Sequence, residues 1–310
     1  MRRRHGVALA LGVSALVCLS GCTHDRPAPS TRLDDRSSGG RLPAVSPCLQ
    51  LPGRCDFPDA STTGVRAGTS LKVVHGDVFT HRDGEVLSGL DIRGTLHVDN
   101  SHVLVEDVRV TGPGGSSWAI HVGQGQPVQD VVIRDCSVDA GRSDQGGVSG
   151  EQGSQWALVN CDIWNGENAV RSGGGAEIRG NYLHAFASSS HAPHFDAIEV
   201  YAGSKTNIVH NTLILDQTET SVVNVQGAFG PVADTLLSGN LVQGGGWQLN
   251  VRALDDPVRS TEIVDNRFGN AFVWGHAVVD PGTVTLVKGN VADADGASLD
   301  ATLLGAGDAG

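Results

Sequence analysis

VVIRDCSV (131–138), ALVNCDIW (157–164), AEIRGNYL (176–183), TNIVHNTLI (206–214), TLLSGNLV (235–242) and TEIVDNRF (261–268) are six versions of one word. In each, an aliphatic residue is followed by two free positions, a small or amide residue, one free position and a residue that is usually apolar. Apolar and polar residues alternate, which marks a half-buried strand, and no helical period competes. The word starts at Leu87, Val105, Ile133, Leu158, Ile178, Ile208, Leu237, Ile263 and Val287, at intervals of 18, 28, 25, 20, 30, 29, 26 and 24 residues. Repetition at this period, carried by strands, is the mark of a solenoid. An interval of about 25 residues holds three short strands and their turns, which predicts an all-β, right-handed parallel β-helix, a single-stranded solenoid of about nine to ten coils.

The fourth position of the word is Asn181, Asn211, Asn240, Asn266 and Asn290 in five successive coils, and Cys136 and Cys161 in the two before. Coils stacked roughly 4.8 Å apart let such amides bond to one another and to turn backbone along the axis. The column therefore reads as structural. Gly180, Gly239 and Gly289, each just before an Asn, supply the backbone freedom of a sharp corner. Cys136 and Cys161 read as stacked buried thiols, because parallel geometry strains a disulfide between them.

The chain has 310 residues, 39% of them hydrophobic, 42 Gly and a net charge of -12. The unbroken repeat argues for one long domain over 47–292 with an N-terminal cap, and the acidic charge disfavours nucleic acid as a partner. The start, MRRR followed by an apolar stretch at 7–19, reads as a secretory signal over 1–21 rather than a membrane span. Leu19-Ser20-Gly21-Cys22 resembles the bacterial lipobox, which implies cleavage before Cys22 and its lipidation. Residues 22–46, rich in Pro, Ser, Arg and Asp, read as a flexible tether. Export permits disulfides, and Cys48 with Cys55 is the expected pair, stapling the cap over the first coil. Residues 293–310 lose the ladder and read as a frayed tail or poor cap.

Four stretches carry a family resemblance: FPDASTTGVRAGTSL (57–71), GLDIRGTLHV (89–98), HFDAIEV (194–200) and LVQGGGWQLNV (241–251). Together they resemble exported right-handed β-helix proteins of actinobacteria within the pectin lyase-like superfamily, over roughly residues 47–290. The resemblance implies a carbohydrate-facing groove. Related proteins often read H-x-D-G-I-Q where this chain has His194, Asp196, Ala197, Ile198 and Glu199. The spaced acids, Gly-His-Gly and Arg-x-Lys of polygalacturonase-type hydrolases are not intact, and Asp255-Asp256 before Pro257 reads as a solvated turn.

Strand parity then aligns the second strand of each coil. With Ile120, Val122, Val170, Ile198, Val200, Val223, Val225, Leu249 and Val251 inward, the outward neighbours are His121, Arg171, Glu199, Tyr201, Asn224, Gln226, Asn250 and Arg252, a polar strip along the axis. The long segment 185–195 enters the same edge beside His184, His191 and His194. For β-elimination on a uronate polymer, Arg171 and Arg252 would neutralise the substrate carboxylate, His194 would act as base and Tyr201 as acid, with Asp196 orienting His194. His121, His191, Glu199, Asn224, Gln226, Trp247 and Asn250 complete the expected substrate-binding set. Each has a structural alternative: an exposed Arg–Glu199 ion pair, a polar loop with nothing bound, or a tryptophan covering a coil corner. No cofactor motif is present; Asp196 and Glu199 form a carboxylate pair of the kind that binds Ca²⁺, short of the six to eight oxygens it takes. The expected function is an envelope-anchored, extracytoplasmic polysaccharide-active protein, a lyase on an acidic glycan, held to the membrane by its lipid. The competing reading is a non-catalytic carbohydrate-binding or scaffold lipoprotein, which the acidic charge favours.

Overall fold

The alternation in the repeated words becomes three parallel sheets wound into one solenoid. The computed structural model describes residues 47–304; the signal at 1–21, Cys22, the tether and residues 305–310 lie outside the described residues. Each coil gives one strand to each sheet in turn, as in Tyr182–His184 for the first, Asp196–Val200 for the second and Gly203–Val209 for the third. The first sheet has ten strands and the other two nine each, in coil order. Nine stacked strands make about eight turns, slightly fewer than the nine to ten coils anticipated, because the final coil contributes only Val291–Ala292.

The register of the third sheet follows the repeated word. Leu87, Val105, Ile133, Leu158, Ile178, Ile208, Leu237, Ile263 and Val287 pair in an unbroken series from coil to coil. From Val105 to Ile263 each is at most 1% exposed, and burial of such a side chain stabilises by roughly 1.5–3 kcal/mol. A single aliphatic stack therefore runs the length of the core.

The corner after each of these strands needs a left-handed residue. Gly180, Gly239 and Gly289 fill it with φ of 70, 63 and 75°, and Asn160, His210 and Asp265 fill it in the coils between with φ of 54–55°. The next residue is Cys161 after Asn160 and otherwise the Asn of the column. Its Oδ1 accepts from the backbone N–H and the Nδ2 of the preceding column residue, as Asn211 does from Asn181 at 2.9 Å each. Its Nδ2 also donates to a carbonyl one coil back, Asn211 to Ile178 at 2.8 Å. The column ends on Asp300, whose Oδ1 accepts from the N–H and Nδ2 of Asn290 at 2.9 Å. Cys136 and Cys161 continue it as free buried thiols, and burial, with Cys136 as neighbour, pushes the Cys161 thiol up.

Both ends depart from the sequence reading. Residues 293–304 do not fray: Asp300–Leu303 is a short helix with Leu303 fully buried, closing the last coil. Cys48 and Cys55 are joined by a disulfide, but the segment does not cover the first coil. Its Leu49 N–H donates to Asp293 Oδ2 at 3.2 Å, at the far end of the solenoid. From there the chain runs back as a strap. Phe57 stacks on His210 at 5.7 Å, Gly64 N–H donates to the Asn160 carbonyl at 2.8 Å, Val65 N–H to Ser137 Oγ at 3.0 Å, and Arg66 pairs with Asp107. The strap then enters the first strand, Lys72–His75. Val73, Phe79 and Val86 of the first coil remain exposed. No helix among the described residues is long and apolar enough to cross a membrane.

Candidate functional site

The outer face of the second sheet carries a polar column set by strand register. His97, His121, Ser149, Arg171, Glu199, Asn224 and Asn250 are partners in successive coils, and Gln226 pairs with Arg252 beside them. Around this column lies a cleft of about 540 Å³. Arg171, His194, Asp196, Glu199, Asn224, Gln226, Trp247, Asn250 and Arg252 all line it. A larger concavity of about 710 Å³ at the corner after the second sheet is lined by Gly173–Gly175, Gly203 and Lys205, and it gathers none of these groups.

Asp196 reaches the cleft through a break in alternation. Ala197 and Ile198 are both fully buried, so two consecutive side chains point inward and the residue before them turns to the outer face. Its Oδ1 accepts from Ser221 N–H at 3.2 Å and its Oδ2 from Asn224 Nδ2 at 3.3 Å. Burial, seconded by the Glu199 charge, pushes its pKa up to about 8 despite those donors. At neutral pH the carboxyl holds its proton. Burial also raises Glu199, against the opposing pull of Arg171 and His194.

Arg171 lies with Nε 3.3 Å from Glu199 Oε2, yet that Nε–H is not aimed at the carboxylate and has no acceptor. The contact is electrostatic. The guanidinium carbon sits 4.1 Å over the Tyr201 ring and 5.3 Å from Phe229, a cation–π platform. Tyr201 is thus beneath the arginine and does not line the cleft; burial raises its hydroxyl pKa. His194 is exposed on the rim, and its backbone N–H donates to Glu167 Oε2 at 3.2 Å.

Other expected residues fall elsewhere. His121 stacks on His97 at 5.3 Å, toward the first coil, with its pKa lowered by burial and then by His97. His191 is exposed and outside the lining. His184 belongs to the first sheet, where Nε2 meets Asp162 Oδ1 at 2.9 Å. Among the described residues no group of three or more His, Cys, Asp or Glu is arranged to hold a metal ion.

The structure adds Asp144, Glu167 and Glu219 from the turns entering the second sheet, together with Asn168, Trp118, Trp274 and Phe229. Each indole rests where a glycine leaves room. A Cβ on Gly146 would stand 2.7 Å from Trp118, on Gly275 2.6 Å from Trp247, and on Gly246 2.3 Å from Trp274. The Gly-Gly-Gly-Trp run and the Trp274-Gly275 pair were the available signals for these walls. For the acids the signal was position, one or two residues ahead of a strand in neighbouring coils.

Buried polar atoms without a partner concentrate here. Of thirteen such atoms among the described residues, six belong to the cleft: Asp144 Oδ1, Asn168 Oδ1, Asn224 Oδ1 and Asn250 Oδ1 as acceptors, Arg171 Nε and Arg252 Nε as donors. Unpartnered buried groups are rare in folded proteins, so each of these atoms is open to a hydrogen bond from water or from a bound molecule. No family model, curated protein or solved structure matches this chain.

Proposed function

We propose that the cleft binds an extended polysaccharide along the solenoid axis and cleaves it by acid–base chemistry. The carrying observation is the six orphaned polar atoms gathered on four of five consecutive coils. Sugar hydroxyls donate and accept, so a glycan lying on the column satisfies both sets, while Trp118, Trp247 and Trp274 offer indole walls for its apolar faces. Asp196, protonated at neutral pH, is the group suited to protonate a departing glycosidic oxygen. Glu199 is the second carboxyl group, balanced by Arg171. This reading keeps the chain with exported β-helix proteins of the pectin lyase-like superfamily, tethered to the envelope through Cys22.

Elimination on a uronate polymer is the second reading, favoured by Arg252, which forms no ion pair among the described residues and whose Nε is without an acceptor. Incubation with a polysaccharide panel separates the two. Hydrolysis yields new reducing ends with no ultraviolet-absorbing unsaturated ends, and Asp196→Asn stops release while leaving binding intact. Unsaturated ends would establish elimination instead. Binding without new ends of either kind would make the protein a non-catalytic carbohydrate binder.

A further inference from the structure

Four consecutive strands of the second sheet each bring an acid to the same edge of the cleft. Asp144 precedes Gly146–Gly150, Glu167 precedes Asn168–Ser172, Asp196 opens its own strand, and Glu219 precedes Ser221–Gln226. Register places these strands side by side, so the acids come from adjacent coils at the entry end of the sheet, none more than two residues ahead of the aligned row Gly146, Asn168, Asp196 and Ser221. Counting Glu199, the cleft holds five carboxyl groups against two guanidinium groups; Asp196 keeps its proton, which leaves four to carry charge, and one of those, Glu199, already faces Arg171.

The orphaned atoms point the same way. Four of the six are acceptors, and one of them, Asn224 Oδ1, belongs to a side chain only 8% exposed that lines the cleft floor. A carboxylate brings acceptors alone and would set like against like along this edge. An ammonium group brings three donors and no acceptor, together with the opposite charge. The chain's net charge of -12 attracts the same class of polymer from a distance.

We propose that the cleft selects a glycan bearing free primary amines, of the glucosamine type, with the amines directed to the edge formed by Asp144, Glu167 and Glu219. The inference rests on the reading of the cleft as a polysaccharide site and names its substrate class. It places the sugar amines on the acid edge and leaves Arg252 and Gln226 on the other side for ring hydroxyls.

Calorimetric titration with three hexasaccharides tests it: a fully deacetylated glucosamine hexamer, its N-acetylated counterpart and a galacturonate hexamer, at slightly acid pH and at two salt concentrations. The deacetylated hexamer is expected to bind about tenfold or more tighter than its acetylated counterpart, with the advantage shrinking as salt screens it. The double variant Asp144→Asn, Glu219→Gln, in turns rather than the core, is expected to bring the two near parity with an unchanged circular dichroism spectrum. Equal or tighter binding of the acetylated or galacturonate hexamer overturns amine selection and leaves the glycan reading in place. Full deacetylated-hexamer affinity in the double variant also overturns it, because general surface charge would then account for the binding. Failure of all three to bind removes the glycan reading as well.

Discussion

Asp196 is the residue on which chemistry and stability meet. In the unfolded chain its proton leaves near the ordinary value of 3.8, whereas in the folded chain it is held to about 8. Between those values the unfolded state binds fewer protons, so the contribution of this group to stability is complete below about pH 4 and falls as pH rises to 8. The upper bound is on the order of 5 kcal/mol. Asp196→Asn is expected to flatten that decline in urea denaturation performed across the window, since the Asn224 amide can turn its unpartnered Oδ1 to the new NH₂ group. A wild-type stability indifferent to pH over this range would contradict the protonated carboxyl. The same residue shows where parity reasoning stops. Strict alternation gives Asp196 the inward parity of Ile198 and Val200, and only the burial of both Ala197 and Ile198 turns it to the cleft.

At the scale of the element, the asparagine column was legible because its spacing expresses hydrogen-bond geometry that every coil must repeat. Replacing Asn211 by Leu removes the acceptor of the Asn181 N–H and the donor to the Ile178 carbonyl. With each buried group left unpaired costing about 1–3 kcal/mol, a loss on the order of 3–5 kcal/mol is expected in chemical denaturation. A loss below about 1 kcal/mol would mean that the column is decoration. Glycines divide similarly. Gly239→Ala meets nothing within 4 Å at φ 63° and should cost only the roughly 1 kcal/mol of left-handed strain, while Gly244→Ala places its Cβ 1.7 Å from the Leu215 carbonyl oxygen and should prevent normal folding. Comparing the melting curves of the two isolates close backbone approach from φ alone. The turns were less legible. Asp144, Glu167 and Glu219 lie where no period operates, so only the three-dimensional stacking of coils reveals them as a row.

For the whole molecule, the strap is the feature that sequence reasoning could not supply. Its contacts are single and distant, Phe57 on His210 and Gly64 on Asn160, and leave no repeat to read. It touches the first sheet at Ser137 and the corner leading into it at Asn160 and His210, away from the cleft on the second. The Cys48→Ser, Cys55→Ser variant is therefore expected to raise hydrogen exchange over 47–57 by about tenfold or more, with the strands 196–200 and 221–226 unchanged. A parallel rise in those strands would show that strap and cleft are coupled.

In the proposed site, stacked coils bring together residues far apart in the chain. A crystal structure of the protein soaked with an oligosaccharide shown to bind in solution tests this most directly. The sugar is expected to lie along Arg171, Glu199, Asn224 and Asn250, with Trp247 or Trp274 against a ring face and hydroxyl or amino groups on the orphaned oxygens of Asn224 and Asn250. Density in the glycine-lined concavity of Gly173–Gly175, or anywhere else with this column bare, would contradict it.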